Sequence, residues 1–188
     1  MAGFLGASLQ VIGGIVESVD RVGPTEPGFA FRTSVIAVAY LMLLVAVIGL
    51  SRSGAAGGGL PARIGLAAVG VGFAGFAVAQ VVLRIDFLLA EQVLFPAATV
   101  LIGLGMIVAG IGVLRARRWR GPLRAIPLIC GLYPFLVIFP AFAIGGPNFL
   151  VLSGFGACWA ALAVGLWLSA STRAGGKTGA PLRMEQSS

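Results

Sequence analysis

The alternation of long apolar segments with short polar ones constrains the fold of this chain more than any other feature. Six segments of about 20 mostly apolar residues are present, and nearly all charged residues lie between them. A helix of that length crosses the hydrocarbon core of a bilayer with its backbone groups hydrogen-bonded internally. The pattern predicts an all-α integral membrane protein, a bundle of about six transmembrane helices over residues 2–18, 34–50, 64–83, 93–114, 123–144 and 149–170.

The composition agrees with this prediction. Hydrophobic residues make up 59% and charged residues 10% of the 188 residues, against roughly 25% charged residues in an ordinary soluble domain. Two alternatives stay open. The bundle has five helices if the short segment 2–18, which contains Gln10, does not span. The similar ends of the second, fourth and sixth segments also fit three related helical hairpins.

The basic residues predict the orientation of the bundle. Ten of the 13 Lys and Arg residues lie in segments 51–63, 115–124 and 171–188, on one side, whereas most acidic residues lie on the other. The positive-inside rule places the basic side in the cytoplasm. We therefore expect a multi-pass protein of a bacterial inner-membrane type, with both termini cytoplasmic. The transmembrane domain covers residues 1–170, followed by a disordered cytoplasmic tail over 171–188.

The densest basic cluster lies between the fourth and fifth segments. Arginine side chains at this level contact phosphate headgroups, so anionic lipid headgroups are the expected partners of Arg115, Arg117, Arg118 and Arg120. The net charge of +7 does not indicate nucleic-acid binding, because no basic patch is interleaved with stacking aromatic residues.

No motif indicates catalysis or metal binding. The chain contains no histidine, which removes the usual haem, zinc and general-base sites. Cys130 and Cys158 lie within apolar segments, where they are expected to fill gaps in the core as small apolar side chains. We therefore expect no enzymatic activity, no cofactor and no metal.

Small residues recur at every fourth position along the sixth segment. Such spacing lets two helix backbones approach closely in lipid, where van der Waals packing holds helices together. The third segment, with Gly72, and the fourth, with Gly105, have related small residues. We expect a helix-packing stripe in the sixth segment, facing either this chain or a second copy. Its members are Ser153, Ala157, Ala161, Gly165 and Ser169.

Three prolines interrupt the fifth segment: Pro127, Pro134 and Pro140. A proline in a helix donates no backbone hydrogen bond and clashes with the carbonyl four residues before it. In lipid such a carbonyl needs another donor. Pro134 and Pro140, with Tyr133 beside them, predict either a static kink or the gate of a polar cavity.

A polar cluster is predicted at the outer surface. Gln80 and Arg84 are four residues apart and share one face of the third helix, and Asp86 and Glu91 follow in the loop before the fourth helix. Ionisable residues within a membrane segment are functional candidates, whereas at its edge they also serve as interfacial anchors.

Two functions fit these features. The first is a non-enzymatic membrane component that self-associates or binds a membrane partner through its small-residue faces. The alternative is a small transporter or channel that moves its proline-broken fifth helix. A dry, close-packed interior favours the first, and an aqueous cavity lined by Tyr133 favours the second.

Overall fold

The chain is almost entirely helical. The computed structural model describes residues 2–20, 22–52, 54, 57, 59–117, 121–145 and 149–175, without the side chains of residues 122 and 169–175. Within these residues six helices are long and apolar enough to cross a membrane, which confirms the predicted all-α architecture, including the first segment. They are α1 (Ala2–Val19), α2 (Phe29–Arg52), α3 (Leu60–Val82), α4 (Phe87–Ala116), α5 (Leu123–Gly145) and α6 (Phe149–Gly175).

The helices extend further into the polar segments than the apolar pattern predicts. α4 begins at Phe87 because the Asp86 side chain caps it, accepting a hydrogen bond from the Leu89 N–H at 3.0 Å. Glu91 therefore lies in a helical turn, and its prediction in a loop was wrong. α6 likewise continues to Gly175, past the predicted start of the tail. The rest of that tail, 176–188, lies outside the described residues.

The six helices form a closed ring in chain order. Each packs against its neighbours in sequence, and α1 packs extensively against α6, which closes the ring. Since short loops join sequential helices, neighbours run antiparallel. Bulky side chains that are fully or almost fully buried fill the centre, among them Leu43, Phe73, Met106 and Trp159. The Trp159 ring meets the Phe73 ring edge-on at 4.7 Å.

Glycines set the closest helix contacts. Where α3 crosses α4, a β-carbon on Gly65 would lie 2.6 Å from the carbonyl oxygen of Gly105. A β-carbon on Gly105 would in turn lie 2.5 Å from the carbonyl oxygen of Gly65. The two backbones can approach this closely only because both residues lack side chains. Small residues of α3 and α4 thus pack within the chain.

Candidate functional site

The acidic end of the bundle carries an ion-pair network between α1 and α2. The Arg32 guanidinium lies 2.7 Å from an Asp20 carboxylate oxygen and 3.4 Å from a Glu17 carboxylate oxygen. It also donates a hydrogen bond to the Asp20 backbone carbonyl at 2.5 Å. This network joins residues that are far apart in sequence, and the apolar pattern alone gave no signal for it.

Arg84 connects α3 to the first turns of α2. Its Nε donates to the Thr33 hydroxyl at 2.8 Å, and its Nη2 donates to the Ser34 hydroxyl at 2.6 Å and to the Ala30 carbonyl at 2.7 Å. The buried Thr33 hydroxyl lies 3.0 Å from the Phe29 carbonyl, to which it donates. One guanidinium thus fixes the N-terminal end of α2 against the C-terminal end of α3.

Replacing Arg84 with Met should loosen this end of the bundle, because Met keeps the apolar stem and removes every donor. We expect Arg84→Met to lower the melting temperature in detergent by roughly 2–4 °C, the shift expected for about 1 kcal/mol in a chain of this length. Arg124→Met, an exposed arginine at the other end, is the control. Equal melting temperatures for the two variants would contradict the connecting role of Arg84.

The predicted outer polar cluster is spread over separate places. Gln80 is buried, whereas Asp86 and Glu91 are exposed. Asp86 caps its own helix. Within the described residues both ion pairs belong to Arg32, and Arg84 donates to α2 rather than to Asp86 or Glu91. The four side chains of the predicted cluster therefore do not form one shared polar site.

The prolines divide α5 into three parts. Pro127 and Pro140 are the second residues of the α-helical parts Ile126–Tyr133 and Phe139–Gly145. Pro134 begins the π-helical turn Pro134–Ile138 between them. A similar π-helical turn, Ala90–Leu94, precedes Pro96 in α4 and was not predicted. π-helical turns are frequent at functional sites, so the side chains around these two turns are candidates for a functional role.

Side chains next to the π-helical turn of α5 form hydrogen bonds with the backbone of α6. The Tyr133 hydroxyl donates to the Val151 carbonyl at 2.9 Å, and the Cys130 thiol donates to the Cys158 carbonyl at 3.3 Å. Gly154 lies directly below the Tyr133 hydroxyl, which a β-carbon at that position would displace. The two cysteines therefore come together as free thiols, and Tyr133 holds the two helices together.

The predicted stripe on α6 does not form one face. A four-residue step advances about 40° beyond a full helical turn, so the stripe winds around the helix. Ser153 faces α1, where its hydroxyl donates to the Val11 carbonyl at 3.3 Å, and Gly165 is also buried. Ala157 and Ala161 are exposed. The Ser169 side chain lies outside the described residues.

Two polar atoms in the interior have no hydrogen-bond partner among the described residues: Gln10 Oε1 and Trp159 Nε1. Gln10 is 6% exposed and Trp159 is 1% exposed. Tyr40, whose ring stacks on the Phe76 ring at a centroid distance of 4.6 Å, lies beside the Gln10 side chain. An unpaired buried group of this kind is destabilising by about 1–3 kcal/mol.

At the basic end of the bundle, the described residues form no ion pair. Arg115 and Arg117 lie where α4 ends, and Arg117 adopts a left-handed conformation, with φ of 50°, that stops the helix. The other two predicted headgroup contacts, Arg118 and Arg120, lie outside the described residues. No group of three potential metal ligands is present within the described part of the chain.

Comparisons with protein-family models, with curated proteins and with solved structures gave no match.

Proposed function

We propose that the protein is a non-enzymatic membrane component that self-associates through the exposed side of α6. The observation that carries the proposal is the position of Ala157 and Ala161. They lie one turn apart on the outside of the ring, while Phe155, Trp159 and Leu162 of α6 are buried inside it. Such a pair allows another helix to approach the α6 backbone closely.

The surroundings of this pair fit a helix contact in lipid. Leu150, Val164 and Leu168 are exposed on the same side of α6 and would flank the crossing point. A second copy inserted in the same orientation can present the identical face across a two-fold axis parallel to the membrane normal. Across that axis the two small patches meet, so the two α6 backbones can approach each other closely.

The filled centre of the ring supports this function over transport. Phe73, Met106 and Trp159 are buried there and in contact with their neighbours, which leaves a packed core along the ring axis. The Tyr133 hydroxyl, which a polar cavity would need, is bonded to Val151. These contacts favour a static kink in α5 over a moving gate.

We also propose that the bundle spans a membrane of the bacterial inner-membrane type with both termini in the cytoplasm. The acidic residues Glu17, Asp20 and Asp86 lie at one end of the helices, and Arg52, Arg63, Arg115 and Arg124 lie at the other. Basic residues of short loops are retained on the cytoplasmic side.

Replacing Ala161 with Leu should separate the copies. A leucine side chain at the crossing point keeps the two backbones apart, and we expect association to weaken at least roughly tenfold, equivalent to about 1.4 kcal/mol. The measurement is the dimer fraction of fluorescently labelled protein in liposomes, followed by single-molecule photobleaching over a range of protein-to-lipid ratios.

Ala97→Leu provides the matched control, because Ala97 is an exposed alanine on α4 and the chemical change is the same. Its dimer fraction should equal that of the unmodified protein. If Ala161→Leu dimerises as well as Ala97→Leu, or if the unmodified protein is monomeric at every ratio, α6 is not a self-association face.

A further inference from the structure

A groove between α2 and α3 lies at the basic end of the bundle. Its volume is about 260 Å³. The end of the groove nearest the loop is polar and is formed by Ser51, Arg52 and Arg63. Below it the walls are apolar, with Leu44 on α2 and Leu66 on α3. From Ser51 to Leu44 the groove runs about 10 Å along the helix, at 1.5 Å per residue.

The positive charge at the mouth of this groove favours the binding of an anion. Arg52 and Arg63 are both exposed, and neither has a carboxylate partner in the described part of the chain, where both ion pairs involve Arg32. The described acidic side chains lie at the opposite ends of the helices. With no carboxylate near the mouth among the described residues, an ammonium group has no partner there, whereas a phosphate group has two guanidinium groups and a hydroxyl.

The apolar part of the groove distinguishes a lipid from a free anion. Gly70 also lines the groove, and a β-carbon there would lie 3.4 Å from the Leu44 side chain, an ordinary contact distance. Since Gly70 has no side chain, the narrow apolar channel between Gly70 and Leu44 remains part of the groove. An acyl chain fills such a channel, whereas free phosphate gains nothing from it.

We propose that this groove binds one anionic phospholipid of the cytoplasmic leaflet, with its phosphate between Arg52 and Arg63 and an acyl chain along Leu44 and Gly70. The proposal rests on the proposed insertion in a membrane but does not depend on self-association. It differs from the expected headgroup contacts of Arg115 and Arg117, which lie at the end of α4 and do not line this groove.

The test is native mass spectrometry of delipidated protein titrated with phosphatidylglycerol or with phosphatidylcholine of the same chains. The unmodified protein should retain one phosphatidylglycerol and bind phosphatidylcholine weakly. In Arg52→Gln/Arg63→Gln the affinity for phosphatidylglycerol should fall roughly 25-fold, since each arginine near an anionic headgroup contributes about fivefold. Arg52→Lys/Arg63→Lys should restore most of it.

A second variant tests the apolar part without changing charge. Gly70→Leu fills the channel and should also abolish retention of phosphatidylglycerol. Arg115→Gln/Arg117→Gln removes the same charge elsewhere and should retain the lipid. Ala161→Leu should retain it as well, so a failure of self-association and a failure of lipid binding are separable. Unchanged melting temperatures show that the variants remain folded.

Three results would overturn the proposal. The first is equal phosphatidylglycerol affinity in the unmodified protein and in Arg52→Gln/Arg63→Gln. The second is equal affinity for the two lipids. The third is displacement of the lipid by excess glycerol 3-phosphate, which has the headgroup phosphate but no acyl chain and would indicate a site for free anions.

Discussion

A single methyl group at Gly105 is expected to push α3 and α4 apart and to lower the free energy of unfolding by about 1–3 kcal/mol. The added β-carbon would lie 2.5 Å from the Gly65 carbonyl oxygen and 3.0 Å from the Val69 backbone nitrogen. Backbone atoms cannot rotate away as a flexible side chain does, so the helices must separate. Separation also disrupts the packing of buried neighbours such as Met106.

Gly49→Ala is the matched control for this prediction. Gly49 lies within α2, and a β-carbon there would have no atom within 4 Å. The same chemical change should therefore leave stability unchanged or raise it by about 0.5–1 kcal/mol, since alanine favours a helix. Unfolding of both variants in mixed detergent micelles gives the comparison. An equal effect of the two changes would mean that the close crossing of α3 and α4 does not limit stability.

The number and order of the helices follow from the lengths of the apolar segments, because a bilayer-length apolar segment has few structures other than a helix. The helix ends do not follow in the same way. α4 starts at Phe87 because Asp86 caps it, and a helix tolerates polar residues such as Glu91 at its exposed end. Hydropathy reports where side chains prefer lipid and does not report where backbone hydrogen bonding stops.

The candidate sites were harder to predict, because they depend on how each helix is rotated about its axis. Arg84 pairs with Thr33, which is 51 residues away, rather than with Asp86 nearby. That choice depends on the ring order, which brings α2 and α3 together. Likewise Ser153 and Ala157 belong to one regular stripe in the sequence, yet only Ser153 packs against α1.

Two substitutions at Trp159 are expected to differ widely in their effect on the free energy of unfolding. Trp159→Ala should lower the free energy of unfolding by about 3 kcal/mol, because it empties the space between the rings of Phe73 and Phe155 and leaves a cavity. Trp159→Phe keeps an aromatic ring against both neighbours and removes the Nε1–H, which has no partner among the described residues. Removing an unpaired buried donor relieves its desolvation cost, and this gain offsets the roughly 1 kcal/mol lost because the phenylalanine ring is smaller.

The comparison of these variants therefore tests whether the interior is dry. Unfolding of both proteins under the same detergent conditions gives the two free energies. If the packed centre accounts for the stability of the core, Trp159→Phe is close to the unmodified protein in stability. If Trp159→Phe loses about 2 kcal/mol or more, the indole N–H has a partner, and a polar molecule beside Gln10 becomes the simplest one. That outcome would weaken the case for a purely structural component and strengthen the case for a solute pathway along the ring axis.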